Sequence, residues 1–560
     1  MPAPSRASGR VESGDGMISL TWPKPRGAVG VRTEGPSRAA VRGGVAECIG
    51  LMVAVAFALL TVWHIDATDR SSMLYYDGDS VLPALVRGSI QSGQPQDWAL
   101  SAVLFIPEMG LYFALSALGL GIKATFALNA AVNLTLFYGV LRFVSGVVQH
   151  DRPRVHRVVG ALAAFGTATG LALLEDSPGR NTFELASLLA TTTYYSMTLL
   201  ASVATTGLAA RLVAPGARSR WRWLELALVG VGALSSLTNP LFLAWEVLPV
   251  AVVLGLIAWR RVISWRRFAF VGVLLAAGSG LGLLARILFA SLILKDGPSY
   301  AKPGVAGLTA IFYPVMLAER ASTIAGAVWL TLIVSLILIS AIVFRRSLAV
   351  RDAGAALISG LGWVAPLAVL GGVVVLGQFW IRYLQPMYFA PVCTLVLAPR
   401  LFAHGSALIR RLPKGTVKGL LVGVVVACLG ASAAATVALS RSTAVVDPDV
   451  RCVGTWVSAS HEIGAGRFWA IRAPKAFLPE PGQLVQVDSH FGEYPWLTDR
   501  ADYSSVRVSF VLTDSEATQF VLPPVAQTAP SSTIRCGRYT ITDFGSPILP
   551  IGPATPDAIP

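Results

Sequence analysis

Apolar runs long enough to cross a bilayer recur along most of this 560-residue chain, and that recurrence constrains the fold more than any other feature. Crossing a hydrocarbon core of about 30 Å as an α-helix takes about 20 apolar residues. Runs of this kind lie at 46–64, 124–148, 158–174, 187–212, 223–239, 242–259, 268–289, 323–344, 353–377, 384–402 and 419–440. A buried core helix would explain one or two of them and not the series. A composition of 54% hydrophobic and 14% charged residues excludes a soluble globular protein as well. The fold class expected is an α-helical polytopic membrane protein with about eleven transmembrane helices.

The net charge of +14 at first suggests nucleic acid, but the Lys and Arg residues sit mostly in short junctions between apolar runs. Basic clusters recur at 150–157, 218–222, 260–267, 345–351 and 410–418. This is the pattern of the positive-inside bias, so the charge reports topology and nucleic acid is not a partner. The N-terminus then lies in the cytoplasm, the C-terminus lies outside, and the chain belongs in the plasma membrane. Residues 1–44, rich in Gly, Pro, Ser and Arg, read as a disordered cytoplasmic tail, within which Met17 is an alternative start. The multi-helix domain then covers 45–440, with an acidic first outer loop at 66–98.

One segment resists simple counting. Both 100–121 and 124–148 are apolar, and two crossings there would put the 150–157 cluster outside. Pro107 and Glu108 interrupt the first, so 99–121 is read as a juxtamembrane or re-entrant element on the outer face. Twelve crossings with a basic outer loop is the alternative. From 441 to 560 the chain changes to short alternating segments separated by Pro and Gly, the pattern of a small extracytoplasmic β-rich or α/β domain. Cys48, Cys393 and Cys428 lie in apolar runs as small packing residues, whereas Cys452 and Cys536 bracket the C-terminal domain and are expected to form a disulfide in an oxidising compartment.

Charges beside a membrane are costly and mark cavities or substrate paths. Asp77 and Asp79 flank a single glycine just after the first helix. A pair of this kind suits a general base acting on an acceptor hydroxyl, or a divalent cation such as Mg or Mn held by both carboxylates; Asp-Gly is also a common turn. Glu108 needs a partner or a cavity. The polar stretch 175–184 forms another outer loop. Arg382, next to Tyr383 at the outer end of a late helix, is suited to gripping a phosphate through its planar fork, or to anchoring at the interface. There is no phosphate-binding Gly-x-x-x-x-Gly-Lys-Ser/Thr run, which argues against direct ATP coupling.

The acidic first outer loop, the segment Ile106-Pro107-Glu108-Met109-Gly110-Leu111-Tyr112-Phe113, the many crossings, Arg382-Tyr383 and the outer C-terminal domain together resemble the GT-C superfamily. Its members include protein O-mannosyltransferases, aminoarabinose transferases and actinobacterial arabinosyltransferases, and the Ala-, Gly- and Arg-rich usage here is similar to that of high-GC actinobacteria. The resemblance implies transfer of a sugar from a polyprenyl-phosphate carrier to an envelope glycan or protein. It implies catalysis by Asp77 or Asp79, with Glu108, Arg382 and Tyr383 binding substrate. The rival readings are a transporter or flippase of envelope precursors, which would use internal repeats that are not evident here, and a noncatalytic envelope scaffold.

Overall fold

A computed structural model describes residues 38–214, 222–294, 301–401, 414–515 and 520–554. The expected tail lies outside the described residues up to position 37, as do positions 218–221 and 410–413 of the basic junctions. The described residues from 43 onward form one compact unit.

The chain enters through α1 (Arg38–Ala67), whose stretch Gly43–Ala67 contains an 18-residue segment with a mean hydropathy of 2.4. Two short helices, α2 (Ser71–Tyr75) and α3 (Leu82–Gln91), flank the acidic turn. A two-residue strand, β1 (Trp98–Ala99), leads to α4 (Ile106–Ser116). At about 1.5 Å per residue, the 11 residues of α4 reach only about half-way across a hydrocarbon core. The long helices α5 (Ile122–Val148), α6 (Arg154–Ala172) and α7 (Ser196–Val213) follow. Then come α8 (Arg222–Thr238), a π-helical turn at Leu243–Val247 running into α9 (Leu248–Trp259), and α10 (Trp265–Ala285). Next are α11 (Ala306–Ala321), α12 (Ile324–Ala349), α13 (Ala353–Val375), α14 (Pro386–Thr394), α15 (Ala398–Leu401) and α16 (Lys414–Thr443).

Among the described residues, eight helices are long and apolar enough to cross a membrane. The expected runs at 223–239 and 242–259 are also helical, but α8 and the Leu243–Trp259 helix have 17 residues or fewer. The run at 384–402 is divided into short pieces: Pro386 opens α14, which holds Pro391 inside it, a 3-10 turn follows at Leu395–Leu397, and Pro399 stands in the first turn of α15, where a proline ring crowds the turn before it. Close helix packing is clearest between α8 and α10. A Cβ on Gly278 would stand 2.6 Å from the Val229 carbonyl oxygen, and one on Gly282 would stand 2.2 Å from that of Ala233. Two glycines four residues apart thus let the backbones touch, the small-residue solution used where no hydrophobic drive separates helix from lipid.

The two ends of the bundle differ chemically. At one end Arg400 pairs with both Asp151 and Asp352, tying the α5–α6 and α12–α13 junctions together, and Arg154 packs against Gly43 at the start of the apolar part of α1. At the other end, the Lys123 ammonium of α5 donates to the carbonyls of Ser442, in the last turn of α16, and Val445, just beyond it, and lies 4.9 Å from the Tyr75 ring centroid. Ser442 also donates to Asp66 near the end of α1. So α5 starts beside the acidic turn and finishes at the basic end, and α4 stays at the acidic end, where its Ser116 carbonyl accepts from Arg87 of α3.

Beyond α16 come α17 (Pro448–Ser460), β2 (Gly464–Gly466), α18 (Phe468–Ala476), β3 (Leu484–Gln486), β4 (Thr498–Asp499), β5 (Arg507–Val508), β6 (Phe510–Thr513), α19 (Pro524–Gln527), β7 (Ser532–Cys536), β8 (Tyr539–Asp543) and β9 (Leu549–Pro550). Five strands form one sheet in the order β3-β2-β6-β8-β7, with β2 parallel to both its neighbours and the β6, β8 and β7 pairs antiparallel. Its apolar core includes Val453, Ile471, Leu484, Phe510 and Ile541. Cys452 of α17 is bonded to Cys536 of β7, with Cα atoms 5.5 Å apart. The region is stitched to the helical part by β1 pairing with β4 and by the Asp499 carboxylate, which accepts from Ser89 Oγ and from the Asp97 amide.

Candidate active site

Asp77 shapes the acidic turn before it does anything else. Its Oδ1 accepts from the amides of Asp79 at 3.0 Å and Ser80 at 3.2 Å, closing an Asx-type turn between α2 and α3. The same oxygen accepts from the Tyr194 hydroxyl at 3.0 Å, and Oδ2 accepts from Arg180 Nε at 2.8 Å. Burial pushes the carboxyl above the usual range and the Asp79 charge adds to this, while Arg180 and the Ser80 amide oppose it. Its two oxygens are already engaged.

Asp79 is placed differently. It accepts from Arg382 Nη1 at 2.5 Å and lines a small cavity that is open at its mouth. Arg382 sits in a 3-10 turn, Ile381–Leu384, with its guanidinium 4.7 Å from the Trp380 ring centroid and 5.4 Å from that of Tyr194. Its Nε is buried without a hydrogen-bond partner, which leaves an edge of the fork for another acceptor. Seven aromatic side chains line the same cavity: Phe105, Tyr195, Trp380, Tyr383, Phe468, Trp469 and Trp496.

The loop between α6 and α7 builds this arrangement. Asn181 bonds both ways to the Arg382 segment, donating to the Phe379 carbonyl at 3.0 Å and accepting from the Ile381 amide at 2.9 Å. Gln385 donates back to the Tyr194 carbonyl at 2.8 Å. A buried ionic knot anchors the loop, because Glu184 meets Arg320 at 2.6 Å and Arg70 at 3.6 Å. Glu175 accepts from the amides of Ala186 and Ser187 and from the Trp329 indole.

A second cavity, about 1180 Å³ and mostly apolar, adjoins the first, sharing Val103, Tyr195 and Tyr383 with it. It runs between the Pro240–Leu248 segment and α13, past Leu241, Leu248, Val369, Val373 and Leu376. Tyr383 thus stands at the junction, its ring stacked 6.1 Å from Tyr195 and its carbonyl accepting from Trp245 Nε1.

Of the residues singled out in the sequence, Asp77, Asp79, Arg382 and Tyr383 come together. Glu108 does not join them. It sits in the first turn of α4, fully buried, lines neither cavity, and neither carboxylate oxygen makes a hydrogen bond. The sequence reading missed Tyr194, Arg472 and the aromatic wall from Phe468, Trp469 and Trp496. It marked the loop around Arg180 without giving that side chain a role.

No family model and no curated protein matches the sequence. Among solved structures, the chain is similar to the oligosaccharyltransferase of Archaeoglobus fulgidus. For the apo form the identity is 11%, the TM-score is 0.42, and the match covers 84% of this chain and 69% of that one. For the form in complex with Zn and sulfate the values are 11%, 0.40, 84% and 68%.

Among the described residues there is no group of three or more His, Cys, Asp or Glu side chains placed to hold a metal. Asp77 Oδ1 takes three donors, Oδ2 meets Arg180, and Asp79 meets Arg382, so each carboxylate already faces a guanidinium. A divalent ion bridging Asp77 and Asp79 would have to displace these guanidiniums.

Proposed function

We propose that this protein is a membrane glycosyltransferase of the GT-C type, moving a sugar from a polyprenyl-phosphate carrier to a hydroxyl of an envelope acceptor outside the cytoplasm. The observation that carries this reading is the meeting of Asp79 and Arg382 on the wall of an aromatic cavity that opens beside a large apolar one. An acidic base, a phosphate-binding fork and a lipid-compatible groove then lie within one continuous space. The apolar cavity takes the start of the polyprenyl chain, the aromatic cavity takes the sugar, and Tyr383 lies where the two parts of the donor join.

The chemistry follows from the pairing. The arriving phosphate takes the free edge of the Arg382 guanidinium and competes with Asp79 for the rest, which releases the carboxylate towards the acceptor. Asp79 takes the hydroxyl proton as the acceptor oxygen forms its bond to the anomeric carbon. The bond from that carbon to the phosphate oxygen breaks, its electron pair stays on the departing lipid phosphate, and Arg382 stabilises the charge that develops there. Asp77 holds the turn and does not touch substrate.

Turnover of synthetic polyprenyl-phosphoryl arabinose and mannose by the purified chain, with envelope glycan as acceptor, tests this. Asp79→Asn removes the base and keeps its shape, so turnover should fall by about 100-fold or more while the protein still inserts and folds. Full activity in the double variant Asp77→Asn, Asp79→Asn would remove the catalytic reading.

A further inference from the structure

The C-terminal region holds a buried arginine that forms no direct ion pair among the described residues. Arg472 of α18 is 1% exposed. Its Nε donates to the carbonyl of Gly78, the residue between the two aspartates, at 2.5 Å. Nη1 donates to the carbonyl of Leu497 and, at 3.5 Å, to Gln486 Oε1, and the guanidinium lies 4.8 Å from the Phe468 ring centroid. Nη2 is buried with no hydrogen-bond partner. The acidic groups that act on it are Asp79 and Asp77 of the turn and then Asp502, with Tyr494 also facing it; Lys475, on its own helix, pairs with Asp502. Burial pushes Arg472 down to about 10, which leaves it cationic at neutral pH.

Burying a guanidinium without a carboxylate in contact is costly, and a methionine would fill the same space against Phe468. What the arginine adds is a grip on the turn and a positive charge behind it. Gly78 fits the same arrangement, because a Cβ there would stand 2.9 Å from Phe468 Cε1 and 3.0 Å from Trp469 Cε3. α18 therefore presses directly on the backbone that carries both aspartates.

We infer that Arg472 is a positioning residue: by holding the Gly78 carbonyl it fixes the direction in which Asp79 points into the aromatic cavity, so the C-terminal region is part of the active site. The kinetic side of this inference rests on the function proposed above, whereas the contact itself does not. Arg472→Lys keeps the charge but cannot serve two carbonyls with a planar fork, and Arg472→Met keeps the bulk and loses the charge.

With the full-length protein in detergent and the polyprenyl-phosphoryl sugar as donor, both variants should lose about tenfold or more in kcat while KM for the donor stays within about twofold, because Arg382 and not Arg472 meets the phosphate. A stability arm needs no activity. Arg472→Met should lower Tm, and adding Asp79→Asn should recover part of the loss, because one of the two carboxylates that faced the lost positive charge is then removed. Wild-type kcat in both variants, a rise of donor KM in step with the loss of kcat, or strictly additive Tm changes would each overturn the inference. Full activity of Asp79→Asn would instead remove the proposed function and leave the Tm coupling to decide the contact.

Discussion

Asp77 and Asp79 are two positions apart on one turn, yet their surroundings assign them different tasks. Four donors converge on Asp77, which makes it a fixed part of the backbone scaffold. Asp79 has only the Arg382 fork and open space beside it, so its carboxylate is the one able to change partners. The same logic applies to Arg382, which bonds through Nη1 and whose buried Nε has no hydrogen-bond partner among the described residues. Arg382→Lys should therefore raise KM for the lipid-phosphate donor and lower kcat together, by about tenfold or more in kcat/KM, because a point charge can neutralise Asp79 but cannot hold a phosphate through two parallel bonds. Measured kcat and KM with the synthetic donor check this, and unchanged constants would mean the fork only anchors the helix end. These residues were legible in the sequence because a charge beside an apolar run is expensive and so rarely accidental. Arg472 was not, since nothing around it in a polar C-terminal region marks one arginine as unusual until its burial is seen.

At the scale of elements, the segment between α6 and α7 does the assembling. It carries Arg180 to Asp77 and Asn181 to the Arg382 turn, and it is itself held by Glu184 between Arg320 of α11 and Arg70 just before α2. Arg70 also donates to the carbonyls of Ser177, Gly179 and Glu184 itself, so one guanidinium gathers the loop. Glu184→Gln leaves two buried guanidiniums without their shared charge, a change that usually costs about 3–5 kcal/mol. A lowered Tm in detergent, together with faster protease cleavage within 175–187, is the expected outcome; cleavage elsewhere with an intact loop would show that the knot serves packing alone. The sequence revealed this loop as polar and close to a membrane boundary. It did not reveal the ionic partners, which come from helices far away in the chain. The aromatic wall was hidden for a similar reason. Trp469 and Trp496 reach the cavity only because the C-terminal region docks on the α3–α4 segment, where Asp499 accepts from an amide 402 positions earlier, and no local pattern encodes that pairing.

For the whole molecule, the decisive property is that its two ends carry opposite chemistry. The basic junctions after α5 and α12 are tied together at one end by Arg400, and the acidic turn, the start of α5, the end of α16 and the C-terminal sheet share the other. Basic loops stay in the cytoplasm, so this arrangement is expected to put the aromatic cavity outside, which suits a lipid-phosphate sugar as donor because soluble nucleotide sugars are not supplied there. The bond between Cys452 and Cys536 agrees, since disulfides persist in oxidising compartments. Two exposed positions test the assignment without disturbing either end: Val350 at the α12–α13 junction and Val506 beside β5. With the wild-type chain as background, Val506→Cys should react with a membrane-impermeant maleimide in intact cells, and Val350→Cys should react only after the membrane is opened. The reverse pattern would turn the molecule over and place Asp79 and Arg382 in the cytoplasm. Nucleotide sugars would then be available to the site, and the apolar cavity would lose its reason as a groove for an outward-facing lipid donor.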